Sequence, residues 1–125
     1  MNSYDNIIST YITYVNNYFK IKEKSFELFY RSASEKKTFP YGVVRNINEN
    51  NSRSGHQLRF DVFIWGDDST KIDDIEESTK ELASISDSLL LKDVSATVYI
   101  DAIRDADDPE YRLVKKLINI TVNYF

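Results

Sequence analysis

Residues 38–65 read TFPYGVVRNINENNSRSGHQLRFDVFIW, and this stretch decides the fold of the chain. An apolar strand opens the stretch, a long polar segment follows, and a second apolar strand ends it. Pro40 cannot donate a backbone hydrogen bond, so it belongs at the start or the edge of its strand. The polar segment 48–57 is too long for a tight hairpin turn and too polar to be buried. It predicts a protruding, mobile loop between the two strands.

The second apolar strand, residues 58–65, is the clearest strand in the sequence because its side chains alternate in character. One face is wholly apolar and carries Leu58, Phe60, Val62 and Ile64. The other face begins charged and ends aromatic, with Arg59, Asp61, Phe63 and Trp65. Alternate residues of a strand point to opposite sides of the sheet. The pattern predicts that the second face is solvated at its charged end and covered at its aromatic end, by the first helix or by another subunit.

The flanking segments add two helices and three more strands. Upstream, apolar and tyrosine residues recur at spacings of three and four through residues 4–19, the period of one helix face, and a short strand follows at 25–31. Downstream, residues 70–90 form a helix with an acidic start and a buried stripe that includes Leu82 and Leu89. Alternation then marks strands at 94–103 and 113–125. The order α-β-β-β-α-β-β predicts an α+β fold, with a mostly antiparallel sheet of about four to five strands packed by two helices.

Composition predicts one domain spanning residues 1–125, since a chain of this length buries a single core. The net charge is −4, and residues 67–93 hold nine acidic and three basic side chains, a balance of −6. An acidic second helix disfavours contact with phosphates, and so nucleic-acid binding by the whole domain. The chain has no cysteine, and no apolar stretch approaches the ~20 residues of a membrane span. We therefore expect a protein that is neither secreted nor embedded in a membrane.

The residue pattern shows no catalytic chemistry, and we expect neither an enzyme nor a bound cofactor or metal. The three glycines do not form a glycine-rich phosphate loop. The single histidine, His56, has no nucleophile elbow to serve, and one histidine without cysteine does not make a zinc site. Asp105, Asp107 and Asp108 are the best ion ligands, but a calcium loop needs a glycine at its turn. A solvated turn is the better interpretation of that loop.

Short segments in a fixed order resemble the tail terminator (tail completion, minor tail) proteins of tailed bacteriophages and related prophage particles. The matching segments are FPYGVV at 39–44, FDVFIW at 60–65 with the polar turn after it, the amphipathic helix through Leu82 and Leu89, the strand around Val98, the aspartate-rich loop 105–108, and VNYF at 122–125. The resemblance lies in order and spacing rather than in an active site. The first helix departs from the family pattern, because it is longer and richer in tyrosine.

The resemblance implies a structural role without catalysis. Proteins of this family form a ring, often of six subunits, on the end of the tail tube, where the ring stops tube polymerisation and provides the surface for head joining. The implied partners are other copies of the chain, the tail tube protein and a head connector or neck protein. DNA passes through the ring without specific binding, and no membrane takes part. The implied location is the virion tail, after synthesis in the bacterial host cytoplasm.

The same resemblance suggests roles for particular residues. Phe63 and Trp65 are the candidate subunit interface, where aromatic side chains are enriched. The acidic face of the second helix is the candidate lumen surface and includes Glu77 and Glu81. The candidate partner-contact loops contain Arg53, His56, Asp105, Asp107 and Asp108.

Two alternatives stay open from the sequence. One is a different head-tail connector or neck protein built on a similar small α+β domain. The other is a cytosolic module that binds a protein or a peptide along an exposed sheet edge. An open strand edge in a protein that stays monomeric would favour the second alternative.

Overall fold

The computed structural model describes residues 3–53, 55–67, 70, 72–106 and 114–124. These residues form an α+β fold of two helices and six strands. In chain order the elements are α1 (Ser3–Ile21), β1 (Leu28–Tyr30), β2 (Tyr41–Ser52), β3 (Gly55–Gly66), α2 (Ile72–Ser86), β4 (Leu89–Leu91), β5 (Ala96–Asp105) and β6 (Val114–Tyr124). A 3-10 turn, Lys92–Val94, joins β4 to β5.

The six strands make one mixed sheet in the order β1-β2-β3-β6-β5-β4. The β1–β2 pair is parallel, and the other four pairs are antiparallel. The central pair, β3 with β6, runs without interruption from His56 opposite Tyr124 to Gly66 opposite Val114. The long sequence connection between β3 and β6 therefore joins the two middle strands of the sheet, and α2 lies within that connection.

The predicted count of four to five strands is wrong because the second helix ends earlier than its apolar stripe suggests. Helix α2 stops at Ser86, and Ser88 turns the chain with a left-handed φ of 60°. Leu89, which the helical spacing places in the buried stripe, instead begins β4 and pairs with Val98. Leu89 lies four residues after Ile85, which is the spacing of a helix face. Periodicity alone therefore does not separate the last helical turn from a short strand.

The prediction of a mobile loop at 48–57 is also wrong. Strands β2 and β3 stay paired through this polar segment until Ser52 opposite Gly55, so the connection is a tight hairpin. The segment is polar because its strands lie at a solvated end of the sheet, and backbone pairing does not require apolar side chains. Gly55 has a φ of 140°, which favours glycine at the turn.

Both helices pack on the same face of the sheet. The apolar face predicted for β3 is buried, with Leu58, Phe60, Val62 and Ile64 exposed by 2% or less. Helix α1 contributes its predicted stripe to this core, and α2 contributes Ile75 and Leu82. The buried residues of α1 are Ile7, Ile8, Tyr11, Val15 and Phe19.

Tyr11 connects the two helices inside this core. Its hydroxyl lies 2.6 Å from the Ser86 hydroxyl, and its ring packs 5.7 Å from the ring of Phe60. Burial raises the pKa of Tyr11, so the phenol stays protonated and available for that hydrogen bond. Gly66 allows α2 to approach the end of β3, because a Cβ there would lie 2.3 Å from the Ile75 side chain.

Candidate functional site

Among the described residues, neither helix covers the sheet face opposite the core. The outward side chains of β3 are exposed at Arg59 and half-buried at Asp61, Phe63 and Trp65. The prediction that the first helix covers the aromatic end is wrong, because α1 packs against the wholly apolar face of β3 instead. A helix stripe gains most by burying the face that carries no charged group. Cover by another subunit stays a prediction.

An aromatic patch occupies one half of the open face. Strand register places Val43 between Phe29 of β1 and Phe63 of β3, and places Tyr41 beside Trp65. Val43 is 1% exposed although it faces away from the helices. The rings of Phe39 and Tyr41 lie 5.2 Å apart, and those of Phe29 and Tyr41 lie 6.2 Å apart. We define the aromatic patch by its half-buried members Phe29, Phe39, Tyr41, Phe63 and Trp65.

Two lysines lie over this patch. The Lys115 ammonium is 4.3 Å from the Phe63 ring centroid and 4.5 Å from that of Trp65. The Lys37 ammonium is 5.7 Å from the Tyr41 centroid. Such contacts contribute roughly 0.5–1 kcal/mol each at exposed sites. The patch is therefore apolar with a positive rim.

The other half of the open face is polar and tightly connected. Asp61 accepts hydrogen bonds from the amide nitrogens of Asn46, at 2.9 Å, and Asn119, at 2.7 Å. Asp61 thereby joins the side chains of three neighbouring strands, β2, β3 and β6. Asp101 accepts a hydrogen bond from Thr121 in the same half. The charged-to-aromatic gradient predicted along β3 thus extends across the sheet.

The predicted partner-contact residues lie at opposite ends of the sheet. Arg53 is exposed at the hairpin turn, and His56 lies in β3 with its Nδ1 2.6 Å from the Asn51 Oδ1. The His56 ring stacks on Tyr124 at 5.0 Å. Asp105 is the last residue of β5, at the other end of the sheet, and it pairs with Lys116 of β6. Asp107 and Asp108 lie outside the described residues.

The predicted lumen residues are part of an ion cluster between the helices. The Lys24 ammonium lies 2.9 Å from Glu77 and 2.6 Å from Glu81. The Tyr18 hydroxyl donates to Glu81 at 3.0 Å. The Glu81 side chain is 20% exposed and that of Glu77 is 66% exposed. Lys24 offsets part of the negative charge of α2 here, and the lumen role of both glutamates stays a prediction.

This cluster gives the stability a defined pH dependence. The hydrogen bond from Lys24 lowers the pKa of Glu81 below its ordinary 4.5. The Glu81–Lys24 pair therefore makes its full contribution to the free energy of unfolding above pH 4.5. That contribution is lost as the pH falls through the lower pKa that Glu81 has in the folded protein. We expect Glu81→Gln to reduce the stability lost between about pH 5 and pH 3, as measured by urea unfolding at each pH. Glu77→Gln is the matched control, because it leaves the Glu81–Lys24 contact in place, and an acid loss reduced equally by both changes would contradict this assignment.

Several features hinder strand addition at the sheet edges. At β1, the Asn16 side chain binds both backbone groups of Leu28, at 2.7 Å and 3.0 Å. Strands β2 and β5 run past the shorter strands β1 and β4, and each is irregular there. The register of β2 shifts between Arg45 and Asn48, and that of β5 between Ile100 and Ala102. Asp87 accepts a hydrogen bond from the amide of Ile100, just beyond the pairing of Leu89 with Val98. Bulges and capping groups are the devices by which proteins prevent edge-to-edge pairing.

The described residues contain no group of three or more His, Cys, Asp or Glu positioned to hold a metal ion. Neither α1 nor α2 is long and apolar enough to cross a bilayer.

Sequence reasoning found Phe63 and Trp65 but missed the residues that complete the patch. Tyr41 and Val43 share the alternation of β2, which assigns them to one face once the pairing with β3 is known. Lys115 follows from the pairing of β3 with β6, which places it opposite Trp65. The sequence carries no local signal for that long-range register.

Comparisons with known proteins place the fold but not a family. No protein-family model matches the chain, and no curated protein matches it. Twenty-four chains of solved structures match. One belongs to a structure described as the virion of a native gene transfer agent particle, with a TM-score of 0.57, 7% sequence identity and coverage of 77% of each chain.

Proposed function

We propose that this chain is a structural virion protein that caps the tail tube of a phage-like particle, ends tube polymerisation and provides the surface for head joining. The observation that carries the proposal is the fold shared, over 77% of both chains, with a component of a gene transfer agent virion. The sequence resemblance to tail terminators supports the same role from the order of the segments. The protein acts by assembly rather than by catalysis.

The geometry supports assembly as a ring. The aromatic patch offers an apolar surface for a neighbouring copy, with Phe63 and Trp65 at its centre. The hairpin end, with Arg53 and His56, and the Asp105 end lie at opposite ends of the long central strands. In a ring, one end would face the tail tube protein and the other the head connector. DNA would pass through the ring without specific binding, and the protein would reside in the virion tail after synthesis in the host cytoplasm.

A connector or neck protein is the second candidate, because similarity to a virion component supports either position in the particle. The cytosolic peptide-binding module is disfavoured by the hindrance at the β1 edge, since strand addition needs unpaired backbone groups. Asn16 already occupies those groups at β1.

Labelled particles test this assignment. A producer strain carrying an epitope-tagged copy would be imaged by immunogold electron microscopy, with a tagged capsid protein as the control for labelling. We expect label at the end of the tail next to the head. Label on the head side of the neck would favour the connector, and particles without the protein would overturn a virion role.

A further inference from the structure

We infer that the aromatic patch of one copy is covered by the acidic outer surface of α2 from a second copy. In a row of copies, the open sheet face of each copy would contact the helices of the next. The inference rests on the proposed ring and specifies which surfaces form its repeated contact. Helix α2 lies on the opposite side of the sheet from the patch, so each copy carries both halves of the contact.

The first step is that association is directed to faces rather than to edges. Four half-buried aromatic side chains of the patch, those of Phe29, Tyr41, Phe63 and Trp65, lie on a face that neither helix covers, and Phe39 packs against Tyr41 at its edge. Asn16 occupies backbone groups at the β1 edge, and bulges in β2 and β5 hinder pairing where these strands run past β1 and β4. Aromatic clusters of this kind are typical of the centres of protein interfaces.

The second step is charge. The outward residues of the four long strands carry four cations, Arg45, Arg59, Arg104 and Lys115, and two carboxylates, Asp61 and Asp101, which leaves +2. Helix α2 carries one lysine and five acidic residues, which leaves −4. Counting the two lysines that pair with its glutamates, Lys24 and Lys116, still leaves −2. The two surfaces are therefore complementary in sign.

The third step concerns symmetry. A face-to-face pair would bring two positive surfaces together, and a helix-to-helix pair two negative ones, and like charges disfavour both. The remaining arrangement is head to tail, with the face of one copy on α2 of the next. Head-to-tail contacts produce rings when the rotation between copies closes. The contact inferred from charge thus has the symmetry that a ring requires.

Cysteine cross-linking tests the contact directly, because the chain contains no cysteine of its own. One tagged copy would carry Leu117→Cys, beside Phe63 on the open face, and a second copy with another tag would carry Ser84→Cys, on the exposed surface of α2. Both copies would be expressed in producer cells, where every assembly partner is present, and oxidised before lysis. Asn17→Cys, exposed on α1, replaces Ser84→Cys in the matched control.

We expect disulfides between the Leu117→Cys and Ser84→Cys copies, and few with the Asn17→Cys control. Adding Trp65→Ala to the first copy should reduce the cross-linked fraction at least about tenfold, as loss of an interface anchor does. Disulfides only between identical copies, or none at all, would overturn the inference. Particle morphology separates this outcome from the proposed function. If a strain lacking the protein makes tails of uncontrolled length, but cells expressing both cysteine variants form no mixed disulfide, the contact is refuted and the capping role is not.

Discussion

Replacing Tyr11 with alanine is expected to lower the free energy of unfolding by about 3–5 kcal/mol, the usual loss for a large aromatic side chain in a core. Tyr11 is fully buried, and its ring packs against Phe60 beneath the sheet. The substitution would leave a cavity and would also remove the partner of the buried Ser86 hydroxyl. Both helices would lose part of their attachment, since this side chain contacts the sheet and α2 together.

Urea unfolding at fixed pH measures this loss, with the slope of the transition checked for a change of unfolding mechanism. Tyr14→Ala is the matched control, because Tyr14 lies on the same helix with 40% of its surface exposed, and we expect a change within about 0.5 kcal/mol. Tyr11→Phe separates the two contributions, since it keeps the ring and should cost about 1 kcal/mol. A Tyr11→Ala protein as stable as the Tyr14→Ala protein would contradict the described core.

Replacing Phe63 and Trp65 together with alanine is expected to reduce incorporation into particles at least about tenfold while the protein stays folded. Both side chains are half-buried on the open face, so their loss removes an interface anchor rather than a core side chain. Lys115 would lose both of its ring contacts in the same variant. The amount of variant protein in purified particles, relative to a capsid protein, measures the effect.

The control is Thr97→Ala, an uncharged residue of β5 that lies on the same face but in the polar half. We expect its incorporation to remain near that of the unaltered protein. Far-ultraviolet circular dichroism and the unfolding midpoint would establish that both variants are folded. Equal incorporation of the double variant and the control would remove the aromatic patch from the assembly surface.

The sequence predicted those parts of the fold that a single strand or helix records by itself. The alternation at Leu58, Phe60 and Val62 identifies a buried face because every second residue is apolar. The stripe through Ile8, Tyr11 and Val15 identifies the packed side of α1 for the corresponding helical reason. Both signals are local, and both are present in the structure.

Features that depend on pairing between distant segments were not predictable in the same way. The polar segment at 48–57 looks like a loop because its side chains are solvated, whereas its backbone is paired. Leu89 fits a helical period but belongs to a strand, since the turn at Ser88 carries no strong sequence signal. The position of Lys115 above Phe63 and Trp65 follows only from the register of β3 with β6. The sequence therefore identified Phe63 and Trp65 of the candidate site but not the residues that pairing brings beside them.

Electron microscopy of particles from a producer strain that lacks this protein tests the central claim most directly. The account predicts tails of uncontrolled length beside full heads that are not attached to tails, and restoration of joined particles when the protein is supplied from a plasmid. Joined particles with tails of normal length in the absence of the protein would contradict the claim that it caps the tail tube.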